Sequence, residues 1–448
     1  MTGGSDSTDE TDTVEPDGGD GWTPNAEDTE PDADRVAEDA DSTAADGSAG
    51  PGGRDAAADA ADRAADDASQ DTDDPGAAAA LAEATGDASV LLALFTTTLT
   101  LLGAARVLRS GTTDPFTLVV GGIAALALGT VFVGRHGHLS RSVLGSIVGV
   151  ASAAVAVLSV YGLTHGYTTP FGVPPVAGTP ALLVSLVGAA LSIAAAGAMY
   201  AGLSGRQLRR RGGAAAGFWL VGAVGYVSII AWANLLAIGL VLIAGVVITD
   251  QPATSRSVLT QVATVLGTGT VAGAYLALTD RGRSYVDVRV PSLRDLGYVV
   301  GGVVALGGIA IVIGVILGTT GTESAGHSSF ERARSAPELL LVLAVASILV
   351  IGPFEELLYR NVIQKGLTGY FSTPGAIVVA SVIFASAHLF AYGGGPVGGL
   401  LVSLGIVFVL SLALGTLYAR TGNLLVPALV HGLYNAYTYY SQYLSMAG

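Results

Sequence analysis

Two adjacent glutamates, Glu355 and Glu356, stand inside a long apolar run of this 448-residue sequence. The nine other acids beyond the first 85 residues (Asp87, Asp114, Asp250, Asp280, Asp287, Asp295, Glu323, Glu331 and Glu338) fall in loops or at the ends of apolar runs. A charge at the centre of a membrane span costs about 2.5–3.5 kcal/mol on insertion scales, so a pair of them calls for partners or a water-filled site. Arg360 follows Glu356 by four residues, on the same helix face, where it can pair with it. Glu355 points about 100° away. Lacking that partner, it is the better candidate for a reactive carboxylate. The histidines divide in the same way. His136, His138, His165 and His327 read as solvated loop residues, whereas His388 and His431 lie inside apolar runs, with Phe384 four residues before the one and Asn435 four residues after the other. A carboxylate, two imidazoles and an amide at one level form a hydrolytic set. The carboxylate can take a proton from water while an imidazole holds that water. The second imidazole and the amide can donate to the oxyanion that forms when water attacks a carbonyl. The same side chains could instead bind a divalent metal through two histidines and one carboxylate. The H-E-x-x-H pattern of soluble zinc proteases is absent.

The elements that must position these groups are membrane helices. Half of the chain is hydrophobic, 51%, against 13% charged, with a mean hydropathy of +0.58, which excludes an ordinary soluble domain. A span needs about 20 apolar residues. Runs at 88–105, 116–134, 143–163, 180–203, 214–249, 258–278, 296–317, 337–366, 374–391, 398–418 and 424–444 predict an all-α polytopic bundle of about eleven spans. Each run is continuously apolar, unlike the short alternating segments of a barrel. The fifth run could be one tilted helix or two short ones turning near Asn234. Taken as one, the alternation places Arg135, Arg141, Arg206, Arg209, Arg210, Arg211, Arg281, Arg283, Arg289, Arg294, Arg360, Lys365 and Arg420 at one face. Arg106, Arg109, Arg256, Arg332 and Arg334 fall at the other. By the positive-inside rule the richer face, and the N-terminal tail with it, is cytoplasmic. If the eighth helix continues to Gly366, bent at Pro353, then at about 1.5 Å per residue Glu355, His431 and His388 lie roughly 16, 10 and 21 Å from the cytoplasmic ends of their spans. That is close enough for one site in the inner half to middle of the bilayer. The tyrosines Tyr434, Tyr437, Tyr439, Tyr440 and Tyr443 read as an interfacial belt.

Residues 1–85 differ in kind. They hold 25 acids and 3 bases, against 11 and 18 in the remainder, and almost no large apolar side chain, so they are expected to be a disordered acidic tail. Residues 86–280 are then N-terminal membrane helices of unassigned role, and 285–448 the domain that holds the site. Cysteine is absent, which excludes disulfides, thiolate metal sites and thiol catalysis. Nothing points to nucleic acid.

Three motifs stand in order on successive apolar runs. Glu355-Glu356-Leu-Leu-Tyr-Arg360 fits E-E-x-x-x-R, Phe384-Ala-Ser-Ala-His388 fits F-x-x-x-H, and His431-Gly-Leu-Tyr-Asn435 fits H-x-x-x-N. Together they resemble the CPBP family of intramembrane proteases, which includes the CAAX prenyl endopeptidases and the bacteriocin-processing and self-immunity proteins. The resemblance covers roughly Tyr285 to Leu444. It implies that Glu355 activates the water with help from His388, that His431 and Asn435 form the oxyanion site or complete a metal site with Glu355 and His388, and that Glu356, Arg360 and Phe384 support them. It implies zinc or another divalent metal as cofactor, or a glutamate mechanism with none. The expected function is cleavage of a membrane-anchored, CAAX-type or unlipidated peptide by a multi-pass protein of the cell membrane, near its cytoplasmic side. A non-catalytic scaffold or immunity-like binding protein, and a proton-coupled transporter using the same groups as a relay, are the competing readings.

Overall fold

A computed structural model describes residues 75–109, 115–175 and 177–447 of the chain; the acidic tail lies almost wholly outside the described residues. All eleven apolar runs are helical. We number the helices α1 Pro75–Arg109, α2 Pro115–Arg135, α3 Arg141–Thr164, α4 Ala181–Tyr200, α5 Gly205–Ala244, α6 Ala253–Leu278, α7 Leu293–Thr320, the short α8 Ser328–Ala333, α9 Leu339–Leu367, α10 Thr373–Ala387, α11 Val397–Thr421 and α12 Leu425–Ala447. Among the described residues there is no β-strand, only an isolated bridge between Pro170 and Pro180. Nine of the helices are long and apolar enough to cross a membrane. The two that fall short of the sequence expectation do so for different reasons. α10 has only 15 residues, a rise of about 22 Å, and α12 carries the tyrosines that lower its hydropathy. Large apolar side chains such as Phe95, Val150, Leu242, Ile243 and Ile311 point outward, the inverse of a soluble surface and the pattern of a multi-pass membrane protein.

The fifth run is one helix. α5 starts at a capping box between Ser204 and Gln207 and ends at Gly245, whose φ of 65° only glycine adopts without strain. Asn234 makes no turn; its side-chain amide donates to the Ile230 carbonyl (2.8 Å). Forty residues rise about 60 Å, twice the hydrocarbon thickness, so the first turns, with Arg206 and Arg209 to Arg211, extend beyond a span.

Three packing groups divide most of the helices. α1 to α4 enclose cores around Val120, Val155 and Leu182 and around Val131, Leu144 and Met199. α5 and α6 pack instead on α9 and α10, where Phe218, Val271, Ala272 and Tyr275 meet Leu358, Tyr359, Ile363 and Phe384. α7, α11 and α12 form a third cluster around Val299, Leu306, Leu414, Val426 and Val430.

α9 runs unbroken to Leu367, as the site requires. Its hydrogen-bond ladder widens to π turns at Ser347–Ile351 and Leu357–Gln364, on both sides of the ordinary turn Gly352–Glu356. Pro353 has no N–H to give to the ladder, and a wider turn accommodates the lost bond. The crossing of α9 with α12 is backbone-close. A Cβ on Gly352 would stand 2.5 Å from the Ala428 carbonyl oxygen, and one on Gly432 2.6 Å from that of Ser347. Glycine at both positions therefore brings the glutamate-bearing turn against His431.

One end of the bundle is tied shut by polar bonds. Lys365 Nζ donates to both Asp287 carboxylate oxygens (2.7 and 2.8 Å) and to the Tyr285 carbonyl (2.8 Å). Tyr418 Oη donates to Asp287 (2.5 Å), and the Asn361 amide donates to Tyr418 Oη (3.0 Å). Beside them Arg289 pairs with Asp295 (2.7 Å) and reaches the Thr421 carbonyl (3.0 Å). Arg360 and Lys365 therefore do not belong with the loop charges. Arg360 is fully buried, and Lys365 is bound inside this network.

Candidate active site

The two neighbouring glutamates have opposite environments. Glu356 is completely buried. Its Oε2 accepts from Arg360 Nε (2.8 Å) and its Oε1 is bonded to His431 Nδ1 (3.1 Å). Arg360, equally buried, donates from Nη2 to Ser411 Oγ (3.0 Å), and its guanidinium lies 5.1 Å from the centroid of the Phe384 ring. A buried ion pair needs further partners, and here α9, α10, α11 and α12 all supply them, although Arg360 Nη1 has no hydrogen bond. Phe384 also meets Tyr359 edge-on (4.9 Å) and stands 4.6 and 5.9 Å from the rings of His388 and His431. The sequence expectation that Arg360 takes Glu356 and leaves Glu355 free agrees with this geometry. The bond from Glu356 to His431 was not foreseen, because nothing in the spacing relates residues 75 positions apart.

Glu355 turns away from this cluster. Its Oε2 is buried with no hydrogen-bond partner, 4.0 Å from His431 Nε2. It faces a cavity of about 860 Å3 whose walls also carry His388, Asn435, Tyr359, Tyr439 and His327. A smaller chamber of about 180 Å3 shares His327, His388, Asn435 and Tyr439 with that cavity and adds His431 and Phe384. The four residues expected to do chemistry thus surround two adjoining spaces. His388 caps α10 rather than lying within a span, since the Gly393-Gly394-Gly395-Pro396 stretch that follows cannot extend the helix. Its Nδ1–H donates to the Phe384 carbonyl (2.9 Å), which leaves Nε2 as the acceptor.

Three expectations need correction. His327 is not a solvated loop residue. It caps α8, accepting the Ser329 N–H at Nδ1 (3.1 Å), and lines both spaces. Burial first, then the nearby His388 and Arg332, push its pKa down to about 4. Tyr439 belongs to the cavity wall and Tyr434 to the smaller chamber, so only Tyr437 and Tyr440, both exposed, suit an interfacial belt. The cavity also does not extend toward the arginine-rich end. The cavity wall includes Ala253 and Arg256 at the start of α6, Ser328 and Arg332 of α8, and Phe390 and Ala391 beyond α10. All of these stand at the end opposite the Asp287 network. Contributions from α5 and α6 (Tyr226, Ile229, Thr264 and Thr268) were invisible in the sequence, where both helices read as apolar spans without a motif.

Glu355, His388 and His431 do not form a metal-holding group as they stand. Among the described residues no three His, Asp or Glu side chains are placed to hold a metal ion, and Nδ1 of His431 is engaged by Glu356.

The comparisons with known proteins agree with the motifs. Residues 337–437 match the family model described as type II CAAX prenyl endopeptidase Rce1-like. No curated protein and no solved structure matches the chain. The matched segment begins just before α9 and ends within α12, so it holds all three motifs and excludes α1 to α7. Through residues 337–437 the chain is similar to the Rce1-like type II CAAX prenyl endopeptidase domain, which is consistent with a CPBP family protease.

Proposed function

We propose that this membrane protease cleaves a peptide bond within its bundle by a glutamate-activated water. The observation that carries the reading is the division of labour between neighbours: Glu356 is buried with both oxygens bonded, while Glu355 lines a cavity and its buried Oε2 has no hydrogen-bond partner. In this reading a water is held between Glu355 and Nε2 of His388. Glu355 takes its proton, and the hydroxide oxygen attacks the substrate carbonyl carbon. Asn435 donates to the oxyanion. His431, oriented by Glu356, can carry a proton on Nε2 and share that task. As the tetrahedral intermediate collapses, the C–N bond breaks and Glu355 returns the proton to the leaving amine. The polar groups that surround the attacked carbonyl come from α9, α10 and α12, which the two close glycine contacts and the Arg360 cluster hold in register. No step is routed through a metal.

The test is cleavage of membrane-tethered peptides, prenylated and unprenylated, by purified protein in nanodiscs, with wild type beside Glu355→Gln and His388→Ala. Cleavage lost in both, with folding retained, is expected, and persistence in Glu355→Gln would refute the reading. A strong chelator in parallel separates this mechanism from a metal-dependent one: activity is expected to survive it.

We also propose that the arginine-rich end is cytoplasmic. With Arg360 and Lys365 set aside, eleven basic residues lie at that end and five at the other. The tail then enters from the cytoplasm, and the cavity opens at the opposite face rather than on the cytoplasmic side. Because the chain has no cysteine, single thiols report sidedness without background. In intact cells an impermeant maleimide should label Gly394→Cys, and Gly213→Cys only after permeabilisation; both positions are exposed. The reverse pattern would invert the topology.

A further inference from the structure

Away from the glutamates, α7 and α11 leave a groove of about 720 Å3 between them. Most of its wall is apolar, with Leu306, Ile309, Val409 and Leu412. The same wall carries Arg294, on the first turn of α7, and Arg420, on the last turn of α11. A third arginine ties these two turns together. Arg289 donates to Asp295 (2.7 and 3.1 Å) and to the Thr421 carbonyl (3.0 Å). Arg294 and Arg420 are the chain neighbours of those two anchors, so they belong to the same end of the groove. Asp295 is already taken, since it also accepts from the backbone N–H and the hydroxyl of Ser292 (both 2.9 Å). Arg294 and Arg420 are exposed, and among the described residues neither makes an ion pair. Arg294 donates to Tyr298 Oη of the same wall (3.5 Å). The groove is thus apolar along its length and cationic at one end.

We infer that this groove binds an anionic phospholipid, its phosphate on Arg294 and Arg420 and one acyl chain along the walls of α7 and α11. Charge is the first argument for this occupant. A guanidinium offers planar paired donors that match phosphate oxygens, and basic sites between membrane helices suit lipid head groups. Length is the second. From Arg294 to Ile309 α7 rises about 22 Å, and from Arg420 back to Val409 α11 rises about 16 Å. The hydrocarbon of one leaflet is about 15 Å thick, half of the bilayer core. The groove therefore serves one leaflet, as an acyl chain does, while α7 itself continues to Thr320. A partner helix would call for a groove through both leaflets. A free phosphate would occupy the arginines and leave the apolar walls uncovered. The groove shares no lining residue with the cavity of Glu355 and meets the smaller chamber only at Leu306. The inference is therefore independent of the proteolytic reading.

The experiment titrates the purified full-length protein in detergent with phosphatidylglycerol, phosphatidylcholine or glycerol phosphate, and counts bound copies by native mass spectrometry. Wild type should hold one phosphatidylglycerol about tenfold or more tighter than phosphatidylcholine, and glycerol phosphate far more weakly than either lipid. Arg294→Gln with Arg420→Gln should bring the two lipids to near parity at that tightest site. Arg209→Gln with Arg210→Gln, at the start of α5, should leave the preference as it is. Gly301→Leu tests the groove with both arginines intact. A Cβ at Gly301 meets nothing within 4 Å, so the fold tolerates the side chain, which fills the space meant for the acyl chain. Affinity for phosphatidylglycerol should fall by about tenfold. Melting of each variant without added lipid reports its folding, and Gly301→Leu decides alone if the double glutamine variant does not fold. No preference in wild type, a preference undiminished in the double glutamine variant, or unchanged binding in Gly301→Leu would overturn the inference. Glycerol phosphate bound as tightly as phosphatidylglycerol would mark a site for the anion alone and would overturn it as well.

Discussion

Two polar clusters are buried in this bundle, and they are built to opposite rules. At the arginine-rich end, Asp287 gathers Lys365, Tyr418 and Asn361, and each charge meets an opposite charge or a donor. Toward the other end Glu356, His431 and Ser411 are joined through Arg360, whose Nη1 has no partner, and Glu355 beside them lines a cavity and holds a buried oxygen without a hydrogen bond. The first cluster closes loops onto helices, and the second stands beside a cavity lined by Glu355. An unmet buried acceptor costs stability, on the order of 1–3 kcal/mol, and such a cost is found where a site must accept something from outside. The comparison therefore separates structural from reactive polarity more sharply than either burial or charge does, since Glu355 and Glu356 are neighbours in the chain.

Substitutions at the two clusters should accordingly fail in different ways. The largest effect is expected at Glu355. Glu355→Gln should lower kcat by about 10²–10⁴-fold, the range of a general base, with thermal stability unchanged or raised. A parallel loss of stability would place Glu355 with the structural group. Glu356→Ala should do the reverse first. It strands the buried Arg360, at a cost of about 3–5 kcal/mol, and also frees the His431 ring, so denaturation should shift before activity can be read. Gly432→Ala sharpens the geometric side of the comparison. Its Cβ would meet backbone at 2.6 Å, so α12 must move from α9, and melting should fall together with kcat. Asp287→Ala, half-exposed and distant from the cavity, should cost about 1–3 kcal/mol and leave kcat of the folded fraction intact. The smallest effect belongs to His327, whose pKa of about 4 lies below the ordinary 6.5. The unfolded chain binds its proton first, so the stability that this group contributes is full above about pH 6.5 and is lost as pH falls toward 4. Melting followed across that window should show a slope that His327→Gln flattens.

Much of this was readable in the sequence, for reasons that particular residues make plain. The i,i+4 spacing of Glu356 and Arg360 fixes their contact whatever surrounds the helix, and an apolar run past Pro353 long enough to carry both was legible as one helix. Placing Glu355, His388 and His431 within reach of one site required only helix rise. What failed depended on neighbours in space. His327 lies in a loop by sequence, and only its packing against Phe330 and Tyr392 half-buries it. Depth measured from one membrane face could not show which end of the cavity is open, because that is decided by Arg256, Arg332 and Phe390, which no motif marks. The contribution of α5 and α6 was hidden for the same reason: their cavity-lining residues, such as Thr264 and Thr268, are small and uncharged. Two of the eleven expected spans fall short of the usual length or hydropathy, because α10 stops early, at His388, and α12 is more polar.

The central claim is that neighbouring carboxylates divide into one that reacts and one that holds. The most direct measurement is single-turnover cleavage of a tethered peptide in nanodiscs by wild type, Glu355→Gln and Glu356→Gln, with the folded fraction of each measured by thermal unfolding. The account predicts a Glu355→Gln protein that is folded and inactive, and a Glu356→Gln protein that is destabilised but whose folded fraction still cleaves. A folded Glu355→Gln protein that cleaves at the wild-type rate would contradict it.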